Sequence, residues 1–160
     1  MLSVEDYRDQ VLAGVTALAP IEMPLIDAHG CVLATEVSAP WPLPSFDNSS
    51  MDGYAVIAGD LVGASDEHPA RLTVVDDVPA GFRATEVVTH GVAIRIMTGA
   101  PMPDGADAVV PVEKTDGGTG SVQINEPVSF GANVRLAGED VLMGEVVMRP
   151  GTYLTSRQLS

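Results

Sequence analysis

The sequence from Pro44 to Val56, PSFDNSSMDGYAV, decides how this chain is interpreted. It places two acids, an amide and several hydroxyls between a proline-rich entry and an apolar exit. The pair Asp52 and Gly53 predicts a tight turn, because glycine accepts positive φ and aspartate hydrogen-bonds nearby backbone. The next residues, 54–57, predict a strand. We therefore expect the Asp52 carboxylate to lie at the mouth of a strand, held outward and rigid.

The composition of the 160 residues limits the classes of function. The net charge is −14, from 22 acids and 8 bases, and such a surface repels nucleic-acid phosphates and anionic membranes. The acids favour solubility, with Mg²⁺ binding by some carboxylates as the alternative. Cys31 is the single cysteine, which excludes an internal disulfide, and no signal peptide or membrane-length apolar run is present. A cytoplasmic location is expected.

The chain begins with a predicted helix. Ser3 and Asp6 form a capping-box pattern, apolar residues recur at helical spacing as far as Leu18, and Pro20 is expected to end the helix near Ala19. The apolar stripe of this helix predicts a core or subunit contact. Strands are predicted at 25–27, 31–37, 54–57, 71–75, 92–97, 108–112 and 122–124.

Turn-forming residues divide the chain further. Prolines at 40, 42 and 44 predict a stiff, extended domain boundary. The strands beyond it, separated by turns such as Gly117–Gly120, predict a compact β domain that is barrel-like or a folded sheet. Thr155 and Gln158 match a capping box, yet the sequence ends at Ser160, so we expect the chain to be part of a longer protein.

Asp52 and Thr98 are the first candidates for chemistry. Asp52 alone also fits a structural turn, but the polar residues beside it, Asp47, Asn48, Ser49 and Ser50, exceed the needs of one turn. Thr98 follows a predicted strand, and its hydroxyl is placed to donate to a phosphate or oxyanion, although it also fits a plain strand end. Gly99 fits either a close backbone approach to a ligand or a simple turn.

Arg135, Glu139 and Asp140 form a second polar group. They fit an ion-pair network at a hinge or junction as well as a functional site. Oxyanions such as phosphate normally need clustered basic groups or helix N-termini. Lys114 is the single lysine and the seven arginines are not clustered, so the main anion pocket is expected outside this chain.

Three segments, 44–56, 95–110 and 131–141, resemble the MoeA family of molybdopterin molybdenumtransferases. The resemblance implies a β-rich α+β fold with an elongated mixed region of residues 1–43 and 132–160. A β-barrel-like lid domain of residues 44–131 is inserted in it, and the family's later domains are absent from the chain. The resemblance also implies functional positions: Asp52 and Thr98 as catalytic residues, and Ser49, Ser50, Gly99, Arg135 and Asp140 as substrate-binding or cleft residues.

The implied reaction is insertion of molybdenum from molybdate into adenylylated molybdopterin, with loss of AMP. Mg²⁺ is expected, with Asp52 as a ligand or a substrate-positioning group, since a carboxylate facing an anionic substrate needs a cation between them. A homodimer and contact with the molybdopterin adenylyltransferase are further implications. The alternatives are a non-catalytic scaffold derived from the same family and a stand-alone acidic β module that binds a small ligand.

Overall fold

The computed structural model describes residues 2–16 and 18–160. It contains two α-helices, nine strands and three short 3₁₀ turns. The helices are α1 (Val4–Leu12) and α2 (Ser156–Leu159), and the 3₁₀ turns span Leu25–Asp27, Ala58–Leu61 and Val112–Lys114. The strands are β1 (Val37–Ser38), β2 (Asn48–Ser49), β3 (Gly53–Val56), β4 (Ala70–Val78), β5 (Val92–Ile96), β6 (Ala108–Pro111), β7 (Ser121–Ile124), β8 (Val134–Arg135) and β9 (Val146–Met148). No helix in the described ranges is long and apolar enough to span a membrane.

The chain forms two compact units, one of residues up to 37 with 146–160 and one of residues 38–145. The predicted domain limits at 43/44 and 131/132 both lie inside the second unit. Inside that unit Leu43 and Val141 form an antiparallel bridge, which ties the proline-rich segment to the segment after β8. Compact units are defined by packing alone, so the limits of the family's domains stay a prediction.

The second unit is built on a five-stranded sheet with the order β6-β3-β5-β4-β7. All neighbouring pairs are antiparallel except β4 and β5, which are parallel. Parallel strands end at the same edge of a sheet, so the loops that follow β4 and β5 leave it together. This arrangement confirms the β-rich α+β class, and it corrects the extent of one strand, since β4 runs to Val78 where the prediction stopped at Val75.

The core lies on both faces of this sheet. Tyr54 and Val56 of β3 pack in one apolar cluster and Ala55 packs in the other, as the alternation of side chains along a strand requires. All four residues of β3 are buried. A strand covered on both faces is held by packing from two sides, so residues at its ends are fixed in place.

The first unit departs from the predicted elements. The capping box of Ser3 and Asp6 is present, but α1 ends at Leu12, because Gly14, Val15 and Thr16 are poor helix formers that stop it before Pro20. No residue of α1 is buried, so its apolar stripe makes no core contact in the described residues, and the alternative of a subunit contact stays a prediction. Residues 25–27 form a 3₁₀ turn instead of a strand, since the flanking Pro24 sets up the turn that Asp27 closes.

Residues 31–37 form no continuous strand. Val32 makes a single bridge to Tyr153, and regular pairing begins with β1 at Val37. Two local predictions are confirmed. Thr155 and Gln158 form the capping box that begins α2, and Thr115 bridges Ile124 across the turn that contains Gly117–Gly120.

Candidate functional site

The short strand β2 brings the three distinctive segments of the sequence together. On one side Asn48 and Ser49 pair with Arg135 and Val134 of β8. On the other side Asn48 bridges Pro101 in the loop after β5. Segments 44–56, 95–110 and 131–141, which are far apart in the sequence, therefore lie side by side in the second unit, and we call this surface the wall.

Backbone hydrogen bonds fix the loop after β5 against β2. The Gly99 N–H donates to the Ser49 carbonyl at 2.8 Å, and the Ser49 N–H donates to the Ala100 carbonyl at 3.0 Å. Gly99 has a φ of +81°, a conformation in which a side chain is strained. The structure thus shows a turn role for Gly99, and its contact with a ligand stays a prediction.

Asp52 and Thr98 meet at the edge of the sheet. Asp52 precedes β3, Thr98 follows β5, and the register of these strands pairs Gly53 with Ile96. The Thr98 backbone N–H and hydroxyl both donate to Asp52 Oδ1, each at 2.7 Å. The Asp52 carbonyl accepts from the Val112 N–H at 2.9 Å, which fixes the backbone as well. The carboxylate is therefore held at the mouth of a strand, as the sequence predicts.

The hydrogen bonds also favour the ionised form of Asp52. The Thr98 hydroxyl bond, then its N–H bond and the charge of Arg95, together hold the pKa of Asp52 below its ordinary value. An ionised carboxylate only accepts hydrogen bonds, so the hydroxyl proton points at Asp52. In this arrangement the proton is used by Asp52, and the predicted donation of the Thr98 hydroxyl to a phosphate or oxyanion stays a prediction. What the pair presents outward is acceptor oxygen: Asp52 Oδ2 and the Thr98 hydroxyl lone pairs.

Ser49 lies beneath the site, not in it. Its side chain is fully buried, and its hydroxyl donates to the Met51 carbonyl at 2.5 Å and accepts from the Met51 N–H at 3.2 Å. The predicted substrate contact of Ser49 is thus corrected, because its hydroxyl is used inside the loop. Ser50 is half-buried, and its backbone N–H donates to the Asn133 carbonyl. A contact of the Ser50 hydroxyl with substrate stays a prediction.

Gly53 is required for a reason that differs from the predicted one. Its φ is not positive, and it is the first residue of β3 and not the corner of a turn. A Cβ at this position would lie 2.0 Å from the Val110 carbonyl oxygen of β6. Glycine therefore allows β3 and β6 to approach closely beside Asp52.

The group around Arg135 forms an ion-paired border to the wall. Arg135 Nη2 lies 2.5 Å from Asp140 Oδ2, and both side chains are partly exposed. Glu139 accepts from the Leu136 N–H at 3.1 Å. These contacts fit the junction role that the sequence left open, and the pairing of Arg135 with Asn48 places that junction next to β2. A direct contact of Arg135 or Asp140 with substrate stays a prediction.

Two residues that were not predicted as site residues support the wall. Asp47 accepts from the Ala137 N–H at 2.7 Å, and the Asn133 side-chain amide donates to the Val109 carbonyl at 2.8 Å. Asn133 also has a φ of +57°, which asparagine tolerates better than most residues. Both residues lie inside segments that resemble the MoeA family, Asp47 in 44–56 and Asn133 in 131–141, and this position was the one sequence feature that pointed to them.

Comparison with known proteins identifies the family of this chain. A family model described as the MoeA N-terminal region, domains I and II, matches residues 2–160. The chain belongs to the MoeA family.

Curated relatives carry the name molybdopterin molybdenumtransferase. Molybdopterin molybdenumtransferase 2 of Mycobacterium tuberculosis is 46% identical over 155 residues, which cover 97% of this chain and 38% of that protein. The enzyme of Synechococcus elongatus is 37% identical over 162 residues, covering 99% of this chain and 40% of the relative. The chain thus spans about two fifths of the length of these relatives.

A solved structure shows the same fold. The molybdopterin biosynthesis moeA protein from Pyrococcus horikoshii OT3 superposes with a TM-score of 0.82 at 41% sequence identity, covering 86% of this chain and 36% of that one. The fold and the family expected from the three segments are confirmed by this match and by the family model.

Proposed function

We propose that this chain is the N-terminal part of a molybdopterin molybdenumtransferase that inserts molybdenum from molybdate into adenylylated molybdopterin and releases AMP. The observation that carries the proposal is the Asp52 carboxylate, held by two bonds from Thr98 at an exposed sheet edge. The names of the relatives support the chemistry. In this proposal the chain forms one wall of a cleft, and later domains supply the rest.

The wall acts by presenting fixed acceptor oxygens to the substrates. Asp52 is ionised near neutral pH, the bonds from Thr98 lower its pKa further, and its Oδ1 is immobilised by Thr98. A site whose groups are already in place loses little free energy to reorganisation when charge develops in the reaction. Closure of this wall over the substrates would also exclude water.

The oxygen donors at this edge fit a Mg²⁺ ion that is shared between the protein and the substrates. Asp52 Oδ2 and the Thr98 hydroxyl oxygen are hard oxygen donors, and Mg²⁺ commonly takes one or two carboxylates together with water and substrate phosphates. No group of three or more His, Cys, Asp or Glu side chains within residues 2–16 and 18–160 is arranged to hold a metal. We propose Asp52 as the protein's ligand, with Mg²⁺ supplying positive charge between the carboxylate and the anionic substrates.

The proposal extends to assembly and location. The complete protein is proposed to be a cytoplasmic homodimer in which this wall faces the later α/β domain of the partner subunit. It is proposed to receive its adenylylated substrate from the molybdopterin adenylyltransferase. The strong negative charge, −14 for the chain, supports the expectation that the main anion-binding pocket lies in the later domains.

Complementation tests the proposed function. The complete gene product is expressed in cells that lack their own molybdenumtransferase, and the activity of a molybdenum-dependent reductase is measured at low molybdate. Restored activity with the natural protein, and at least a ten-fold lower activity with Asp52→Asn at equal protein level, is expected. Equal activity with Asp52→Asn would show that the Asp52 carboxylate has no role in the reaction. No restoration by the natural protein would favour the scaffold function instead.

A further inference from the structure

Arg83 is an exposed cation without a carboxylate partner. In the described parts of the chain, the ion pairs within 4.0 Å use Arg8, His90, Arg95, Lys114 and Arg135, and not Arg83. The chain has 22 acids and 8 bases, so carboxylates are far more numerous than the cations that could pair with them. Arg71, Arg149 and Arg157 share this lack of an ion pair in the described residues, and what distinguishes Arg83 is its contact with an aromatic ring.

Arg83 instead lies over an aromatic ring of the site wall. Its guanidinium carbon is 5.5 Å from the centroid of the Phe46 ring. This is the distance of a cation–π contact. Phe46 directly precedes Asp47, whose carbonyl accepts from the Met102 N–H at 2.9 Å in the loop that begins with Thr98. The stack thus places Arg83 against the same wall as the proposed catalytic pair.

The topology of the sheet brings the two loops to one edge. Strands β4 and β5 are parallel, with Val78 paired to Ile96, and the Met97 N–H donates to the Val78 carbonyl at 3.0 Å. One residue later β5 leads to Thr98, and β4 leads into the loop that carries Arg83. A cation and an acceptor pair are therefore presented at the same edge.

The loop that carries Arg83 is pre-formed. Asp76 Oδ2 accepts from the Thr85 N–H at 3.0 Å and from the Thr85 hydroxyl at 3.3 Å. At the other end the Phe82 N–H donates to the Pro79 carbonyl at 3.1 Å, and Gly81 takes a φ of +86°. A loop tied at both ends loses little conformational entropy when its side chain binds a ligand.

We propose that Arg83 is an anion-binding residue of this site, which contacts a tetrahedral oxyanion of one of the substrates. The guanidinium carbon of Arg83 lies over the Phe46 ring, and none of the ion pairs in the described residues uses its N–H groups. The planar N–H edge of a guanidinium matches the oxygens of a phosphate or of molybdate. The inference rests on the proposed function, because both possible sources of the anion, molybdate and the phosphates of adenylylated molybdopterin, are its substrates.

Steady-state kinetics of the complete gene product tests Arg83. Arg83→Gln and Arg83→Lys are compared with Arg71→Gln, a matched control that removes another exposed arginine without an ion pair within 4.0 Å, at the opposite end of β4. The KM for molybdate and the KM for adenylylated molybdopterin are measured separately. Loss of a charge-assisted hydrogen bond by Arg83→Gln is expected to raise one KM by about ten-fold or more. The same KM of the Arg83→Lys protein is expected to lie between those of Arg83→Gln and the natural protein, because lysine keeps the positive charge but lacks the paired N–H donors of the guanidinium.

Each outcome decides the inference. The KM that changes identifies whether molybdate or the pterin phosphates supply the anion, and a weaker dependence of that KM on salt supports direct charge contact. If Arg83→Gln matches Arg71→Gln in both KM values while the natural protein is active, the inference is wrong and the proposed function stands. A lower kcat with a lowered Tm and unchanged KM values would assign Arg83 a structural role and also overturn it. An inactive natural protein would reject the proposed function, and the inference with it.

Discussion

Thr98 gives both of its donors, the backbone N–H and the hydroxyl, to a single oxygen of Asp52. The pairing of Gly53 with Ile96 sets this contact, because it puts the start of β3 beside the end of β5. The other carboxylate oxygen is left to face outward. The relationship joins the two residues that the sequence selected separately as candidates for chemistry.

Removing the hydroxyl of Thr98 is expected to raise the pKa of Asp52. Thr98→Val deletes the hydrogen bond that contributes most to lowering this pKa, and Thr98→Ser keeps it. A carbon-detected NMR titration of the Asp52 carboxyl should show a higher pKa in the valine variant and little change in the serine variant. Molybdenum insertion should fall by about ten-fold in the valine variant alone. Equal pKa values in the two variants would show that the hydroxyl bond is absent in solution.

Gly53→Ala is expected to destabilise the sheet strongly. The new Cβ would lie 2.0 Å from a backbone oxygen of Val110, which has no flexible side chain to move away. We expect a loss of roughly 3 kcal/mol in the free energy of unfolding.

Gly59→Ala is the matched control for this change, because its nearest neighbour would be 3.8 Å from the added carbon. Urea denaturation followed by circular dichroism compares the two variants. A Gly53→Ala protein as stable as the Gly59→Ala protein would contradict the close approach of β3 and β6.

Local patterns were enough to predict much of the fold. The capping boxes of Ser3 and Thr155, the strands near 92–97 and 108–112, and the turn around 117–120 each depend on neighbouring residues. The predicted end of the first helix, near Ala19, was wrong because it relied on Pro20 as the stop signal. The weak helix formers at 14–16 end the helix at Leu12, before Pro20 is reached.

The details of the site depend on strand register, which no single segment specifies. The need for Gly53 arises from the distance to Val110, and the burial of Ser49 arises from β2 lying between two other segments. The hydroxyl of Thr98 was assigned to a ligand because its partner, Asp52, is 46 positions away. The sequence therefore identified the residues of the wall, and the pairing of strands decided which atoms remain free.

The pair of His90 and Asp60 is expected to make stability depend on pH. His90 Nδ1 lies 2.6 Å from Asp60 Oδ1, and this hydrogen bond with the charge of Asp60 raises the pKa of His90. Burial alone would raise the pKa of Asp60, but hydrogen bonds from His90 and the Gly91 N–H outweigh it and lower that pKa. Because the His90 pKa is raised on folding, its contribution is complete below the unfolded value, near 6.5, and is lost as pH rises through the folded value.

Thermal unfolding of the natural protein and of His90→Gln at pH 5.5 and pH 8.5 measures this contribution. The difference in Tm should be larger at pH 5.5 and should shrink at high salt, since the histidine is largely exposed. A difference that is constant or grows with pH would contradict the ion pair.

The ion pair of Arg135 and Asp140 is expected to contribute little to stability. Their side chains are 41% and 57% exposed, so solvent screens the charges. A double-mutant cycle with Arg135→Gln and Asp140→Asn should give a coupling of about 0–1 kcal/mol in the free energy of unfolding. A coupling well above this range would mean that the pair is shielded from water in the complete protein.

The most direct test of the central claim is AMP release by the purified complete gene product. Adenylylated molybdopterin and Mg²⁺ are supplied with and without molybdate, and AMP and inserted molybdenum are quantified together. We expect molybdate-dependent AMP release, one AMP for each molybdenum inserted, and a fall of at least ten-fold with Asp52→Asn in a protein of unchanged Tm. Absence of AMP release from the natural protein, or equal release from Asp52→Asn, would contradict it.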